Sequence, residues 1–284
     1  MVEVRFTFWG DFPDHICNET SSVRDMPTAI LTLYTSEGWV IAADGLGTLD
    51  DGSERNENTQ KIFPVEGRPL AYVLLGTTKL LKDGQVSLDL GLGISNSAKA
   101  LASRNPSDAV LYLDRLCRPL HKSLLNAKNN GLVRYPERTE RPPEPGATIV
   151  WVFLVGYYEN RPTSAHCRLF HRNQKLAGIA PQIDGVKPGW YRAHGSEKVW
   201  NLVDVPLDIT FSKYRTAIPK PEQFGLSQAI EWTKTRIQVC CDPKAKEIDP
   251  DNCNKIGGRI HIATITPERG FRWEEPPSNH ATGN

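Results

Sequence analysis

Thr28-Ala-Ile-Leu-Thr-Leu-Tyr-Thr-Ser-Glu-Gly-Trp-Val-Ile-Ala-Ala-Asp-Gly45 contains two β-rich runs, residues 28–34 and 39–43, either side of Thr35-Ser36-Glu37-Gly38. β-Branched and aromatic side chains suit a pleated, half-buried surface, and a short polar stretch ending in glycine turns the chain. The segment is expected to be a β-hairpin. Upstream, residues 1–27 are polar and interrupted by Gly10, Pro13 and Pro27, and they read as an N-terminal extension. Downstream, residues 44–58 read as loop. A second strand pair, Lys61–Val65 and Leu70–Leu75, follows around Gly67, with Pro64 favouring an edge position.

The period then changes. Residues 94–102 read as a short helix. A second helix opens at Pro106 and carries Leu113, Leu116, Leu120 and Leu124 along one stripe to about Ala127. Residues 130–146, with four prolines and alternating charge over 136–146, read as a solvated loop. Thr148–Val155 is an apolar strand, and Ala165–His171 alternates as its partner. Helices are expected after Gly195-Ser196 and over Leu226–Ile237, and strands over Gly257–Thr266 and Phe271–Trp273. Strands, two helices, strands, two helices and strands suggest an α+β fold of two packed antiparallel sheets covered by helices. One domain over residues 28–276 is expected, with a flexible tail at 277–284.

The chain has 284 residues, of which 39% are hydrophobic and 24% charged, values of an ordinary globular protein. Its formal net charge of +1 gives no basic excess for nucleic acid, so no nucleic-acid partner is expected. No run approaches the ~18 apolar residues of a membrane span, and no secretory signal is read at Met1. The six cysteines form no C-x-x-C pair, which points to reduced thiols in a cytoplasmic protein. His166 and His171 alternate onto opposite faces of a strand, and His261 has no ligand at metal spacing. Neither a metal nor another cofactor is expected.

The hairpin segment resembles the opening of proteasome β chains: a threonine, an apolar strand, a glycine-ended turn, a second apolar strand and Ala-Ala-Asp. Gly38 and Asp44 fall at that family's spacing from Thr28 without a gap. Thr59-Gln60-Lys61 matches its lysine run one residue late, and Gly76 its glycine after the next strand. Gly195-Ser196 matches two positions of its Gly-Ser-Gly, and residues 257–266 its late Gly-Gly strand. The resemblance implies an N-terminal-nucleophile (Ntn) hydrolase, a four-layer αββα sandwich with two antiparallel sheets between helix pairs. It also implies that such chains assemble into rings.

The same resemblance implies a site made of Thr28, Asp44, Lys61, Gly76 and Ser196. After loss of residues 1–27, the α-amine of Thr28 would take its own hydroxyl proton; an unperturbed α-amine, with a pKa near ~8, is a usable base at neutral pH. Lys61 would favour the alkoxide and keep the amine neutral, Asp44 would hold Lys61, and the Gly76 N–H would donate to the oxyanion. The substrate would be a peptide or small amide. Taken singly, Thr28 suits any strand start, Asp44 any turn, and Ser196 is best read as a helix N-cap. Three features depart from the family pattern. Met26-Pro27 precedes the threonine where self-processing chains have glycine, Cys253 and Ile256 replace the late aspartate and serine, and Gly45-Leu46 replaces a common Ser-Arg. A non-catalytic proteasome-like scaffold with its extension in place, in the manner of α subunits, and a ligand-binding domain therefore stand beside the hydrolase.

Overall fold

A two-residue turn at Ser36 and Glu37 joins β1 (Ile30–Thr35) to β2 (Gly38–Ala43), with Ile30 opposite Ala43 and Thr35 opposite Gly38. The Thr35 hydroxyl closes the turn by accepting the N–H groups of Glu37 at 3.1 Å and Gly38 at 3.2 Å. The computed structural model describes residues 28–48, 55–76, 79–82, 85–102, 108–129, 148–172, 175–178, 182–205, 209–215 and 221–278. The expected extension at 1–27, the proline-rich loop at 136–146 and most of the expected tail lie outside the described residues.

After the hairpin come β3 (Gly47–Thr48), β4 (Arg55–Asn56), β5 (Ile62–Pro64), β6 (Leu70–Gly76), β7 (Lys79–Lys82) and β8 (Gln85–Asp89). Helices α1 (Leu90–Ala102) and α2 (Ala109–Asn129) follow. The chain continues through β9 (Thr148–Tyr158), β10 (Arg161–Arg172), β11 (Lys175–Gly178), β12 (Gln182–Ile183) and β13 (Tyr191–His194). It then runs through α3 (Glu197–Asp204), α4 (Leu226–Cys241), α5 (Pro243–Ile248), α6 (Pro250–Cys253), β14 (His261–Thr266) and β15 (Gly270–Glu275).

Two antiparallel sheets dominate. The first has five strands in the order β13-β1-β2-β14-β15. The second has six, running β11-β10-β9-β6-β5, with β12 also paired to β10. β5 forms an edge, where Pro64 costs no ladder hydrogen bond. The fold is therefore α+β, as the order of elements suggests.

Period-two alternation sorts the strand residues into separate clusters. Ile30, Trp39 and Ile41 of the first sheet pack with Val73, Phe153 and Val155 of the second. The opposite faces look outward. Leu31, Leu33, Val40 and Ala42 pack with Val199 and Val203 of α3 and Ala229 and Ile237 of α4. Tyr72, Leu74, Val152 and Leu154 pack with Ile94 of α1 and Tyr112, Leu116 and Leu120 of α2. No helix among the described residues is long and apolar enough to cross a membrane.

Several boundaries move for local reasons. α1 starts at Leu90 rather than at Ile94, because the Asp89 carboxylate accepts the Leu92 N–H at 2.9 Å and so caps the first turn. Among the described residues α2 starts at Ala109, with Asp108 accepting the Leu111 N–H at 2.7 Å, and the expected opening at Pro106 lies outside them. α4 continues past Ile237 to Cys241. Cys117, Cys167, Cys240 and Cys253 are buried and Cys241 is partly buried, and none of these is in a disulfide.

Where β6 meets β9, Gly156 lies opposite Leu70 with φ 133°, and a Cβ there would stand 2.2 Å from the Pro69 carbonyl oxygen. Gly156→Ala is expected to remove about 2 kcal/mol or more of unfolding free energy, read as a lower urea midpoint. An unchanged midpoint would show that β6 and β9 separate without cost.

Candidate functional site

Asp44 follows the last residue of β2, and its backbone N–H donates to the Ala29 carbonyl at 2.9 Å, carrying the hairpin ladder one step further. Its carboxylate is saturated. Oδ1 accepts the Ala29 N–H at 2.9 Å and the Lys61 ammonium at 2.7 Å. Oδ2 accepts the N–H groups of Gly257 at 3.2 Å and Leu46 at 3.3 Å. Lys61 stands just before β5, held there by its carbonyl, which accepts the Leu74 N–H at 2.9 Å. From there Nζ also donates to Thr28 Oγ1 at 3.4 Å.

Thr28, Asp44 and Lys61 are all buried, at 6%, 0% and 3% exposure. Burial is the largest influence on the Asp44 carboxyl and pushes it above its ordinary range. The Lys61 charge, its hydrogen bond and the N–H groups of Gly257 and Ala29 pull the other way. The arrangement is a desolvated ion pair whose cation has one further oxygen to serve, the hydroxyl of Thr28. An ammonium at that point lowers the cost of negative charge on Oγ1.

Gly76 ends β6 at φ 101°, opposite Val150 of β9. It therefore lies at the same end of the second sheet as Lys61. Ser196 comes two residues after His194, which lies opposite Ile30. Continuing that register by two steps sets Ser196 across from Thr28. Its side chain is occupied elsewhere. Oγ caps α3 by accepting the Val199 N–H at 3.2 Å and donates to Asp249 Oδ2 at 2.5 Å. Cys253 and Ile256 are fully buried in the hydrophobic cluster under α3 and α4.

Two contributors were not foreseen from sequence. Asp249 is 53 residues from Ser196 and precedes a four-residue helix, so nothing in its surroundings marks it. Gly257 acts through its backbone N–H, which no side-chain pattern reveals.

A second polar group lies between the sheets, beside the first. Asp184 accepts Ser164 Oγ at 2.6 Å and an Arg192 guanidinium N–H at 2.7 Å. Burial alone would raise its carboxyl, but His166, Ser164 and Arg192 together draw it below the ordinary range. The His194 ring lies 4.7 Å from Trp151 and 5.1 Å from Phe153, centroid to centroid. Burial, followed by the charges of Arg192 and His166, pushes the His194 imidazole down to about 3. Alternation of Arg192 and His194 on a short strand was the available sequence signal, but four residues are too few to distinguish a strand from a loop.

No group of three or more His, Cys, Asp or Glu side chains among the described residues is arranged to hold a metal ion. Comparison with models of known protein families gives no match, and comparison with curated proteins gives none.

Removing one member of a buried ion pair strands the other, so Asp44→Asn is expected to cost about 3–5 kcal/mol in chemical denaturation. Asp44→Asn with Lys61→Met should recover much of that loss; a double variant no more stable than Asp44→Asn contradicts the pairing. His194 contributes a separate pH dependence. Below its ordinary value of 6.5 the unfolded chain takes up a proton that the folded chain refuses until about pH 3, so stability falls on acidification. The slope from this group is at most about 1.4 kcal/mol per pH unit. His194→Phe should flatten the curve between pH 6.5 and 4 relative to the parent, and an equally steep curve would contradict the assignment.

Proposed function

We propose that this chain is an amide-bond hydrolase of the N-terminal-nucleophile kind, built as a four-layer αββα sandwich of proteasome β-chain type. One observation supports this above the rest: Lys61 Nζ lies between Asp44 Oδ1 at 2.7 Å and Thr28 Oγ1 at 3.4 Å, with all three residues buried. The clusters on both outer faces of the sheets agree with four layers.

The nucleophile acts once residues 1–27 are removed and the α-amine of Thr28 is free. That amine accepts the Oγ1 proton as Oγ1 bonds to the carbonyl carbon of a peptide or small amide. Lys61 offsets the developing charge on Oγ1, and the N–H of Gly76 donates to the oxyanion. The C–N bond then breaks, and the proton held by the Thr28 amine passes to the departing nitrogen. Water, deprotonated by the same amine, releases the acid product from the Thr28 ester and restores the hydroxyl.

A second reading draws on the occupied hydroxyl of Ser196 and the apolar burial of Cys253 and Ile256. With no polar support from these positions, the chain would serve as a proteasome-like scaffold or ligand-binding protein that retains residues 1–27. Ring assembly is compatible with either reading.

Intact mass and N-terminal sequencing separate the two. The hydrolase requires a chain beginning at Thr28, turnover of fluorogenic peptide amides, and loss of that turnover in Thr28→Ala. Lys61→Met should reduce turnover on the order of 100-fold or more. A chain that keeps residues 1–27 and is not labelled at Thr28 by threonine-directed electrophiles would falsify the hydrolase and favour the scaffold.

A further inference from the structure

The polar group between the sheets has more donors than acceptors. Both Asp184 oxygens are engaged, one by Ser164 and the other by Arg192. Around them, Arg192 Nη1, Trp151 Nε1, His194 Nε2 and His166 Nδ1 are buried without a hydrogen-bond partner. His166 Nδ1 is 3.8 Å from Asp184, too far for a hydrogen bond. A tryptophan N–H and a guanidinium N–H only donate, and each such group left unpaired costs free energy. These side chains are close together: Trp151 is 4.7 Å from His194 and 5.8 Å from His166 between ring centroids, and the Arg192 guanidinium is 6.0 Å from the Trp151 ring. The group is also open to solvent, the Arg192, Asp184 and His166 side chains being 20%, 16% and 13% exposed.

Its location follows from register. His194 lies opposite Ile30, two residues from Thr28, and Trp151 lies opposite Leu75, next to Gly76. The donors therefore sit at the same end of the inter-sheet layer as Thr28 and Lys61, His194 one strand from β1 in the first sheet and Trp151 two strands from β5 in the second.

We propose that Arg192, Trp151 and His194 form a subsite for a carboxylate carried by the ligand, beside the Thr28 site. Arg192 Nη1 and Trp151 Nε1 can only donate, and His194 Nε2 donates beside them in its Nε2–H tautomer, so the missing partners are acceptors, which favours an oxyanion over a donor-rich group. Arg192 is already neutralised by Asp184, so the site suits a planar monoanion better than a phosphate dianion. Its role as a substrate subsite rests on the hydrolase reading, which it narrows to amides bearing a carboxylate near the scissile bond; the binding itself does not depend on that reading.

The test uses the full-length chain with 15N-labelled tryptophan, titrated with N-acetylglycine, N-acetylglycinamide and inorganic phosphate. The Trp151 indole N–H resonance is assigned by its loss in Trp151→Phe. It should move saturably with N-acetylglycine, at a half-saturation about tenfold or more below that for the amide. His194→Phe and Arg192→Gln should each weaken this response, and calorimetry on Trp151→Phe gives an independent reading of the same loss. No saturation with any probe, which would leave water as the partner of these donors, overturns the proposal. Equal response to acid and amide, or tighter binding of phosphate, also overturns it. Thr28→Ala should bind N-acetylglycine as the parent does. Failure of the hydrolase reading thus appears as binding without processing, and failure of the subsite as processing without carboxylate binding.

Discussion

The buried pair of Asp44 and Lys61 is the constraint on which the rest of the molecule depends. It joins β1 through the Ala29 N–H, β2 through Asp44 itself, β5 through Lys61, and the segment before β14 through Gly257. The two sheets are thereby tied together at one end by charge, and elsewhere by apolar contact. Taking two ions out of water is expensive, and their mutual attraction repays this only where the geometry is good and the remaining lone pairs are satisfied. Asp44 meets that condition with three backbone N–H groups in addition to the ammonium. The Thr28 hydroxyl receives the remaining contact of Lys61 as a consequence of this arrangement.

Strand alternation then determines what lies between the sheets. At Ile30, Trp39, Ile41, Val73 and Val155 the inward positions are apolar, and the layer is an ordinary core. Toward β13 and β10 the inward positions become Arg192, His194 and His166, and the aromatic rings of Trp151 and Phe153 divide the two regions. A fold that needed only stability would have filled this edge with aliphatic side chains. Placing charge and unpaired donors there costs stability, and that cost is the ground of the proposed carboxylate subsite.

The segment from Ser196 to Gly257 supports the site indirectly. Ser196 begins α3, Asp249 holds the Ser196 hydroxyl, and Asn252 donates to the same Asp249 oxygen at 2.9 Å. Beneath them, the hydrogen bond with the neighbouring Cys253 thiol, followed by burial, pushes the Cys240 thiol far above its ordinary range. A thiol kept protonated is a small apolar group, not a nucleophile. This segment therefore packs α3, α4 and α6 against the first sheet and delivers the Gly257 N–H to Asp44.

Much of the fold was legible in the sequence because its signals are local. The 28–43 hairpin, the pairing of Lys61–Val65 with Leu70–Leu75, and the amphipathic helix expected to about Ala127 each follow from periodicity and turn residues within one segment. The grouping of Thr28, Asp44 and Lys61 was expected only because their combined spacing resembles that of proteasome β chains, since each residue alone suits a strand, a turn or a surface. Tertiary structure alone decided the rest. β13 is a four-residue edge strand whose identity depends on β1 beside it. Asp249 reaches Ser196 across 53 residues, and Gly257 reaches Asp44 across 213. The donors between the sheets become a group only when β9, β10 and β13 face one another. Local sequence specifies elements by period and propensity; which side chains share a buried space depends on contacts between segments far apart in the chain.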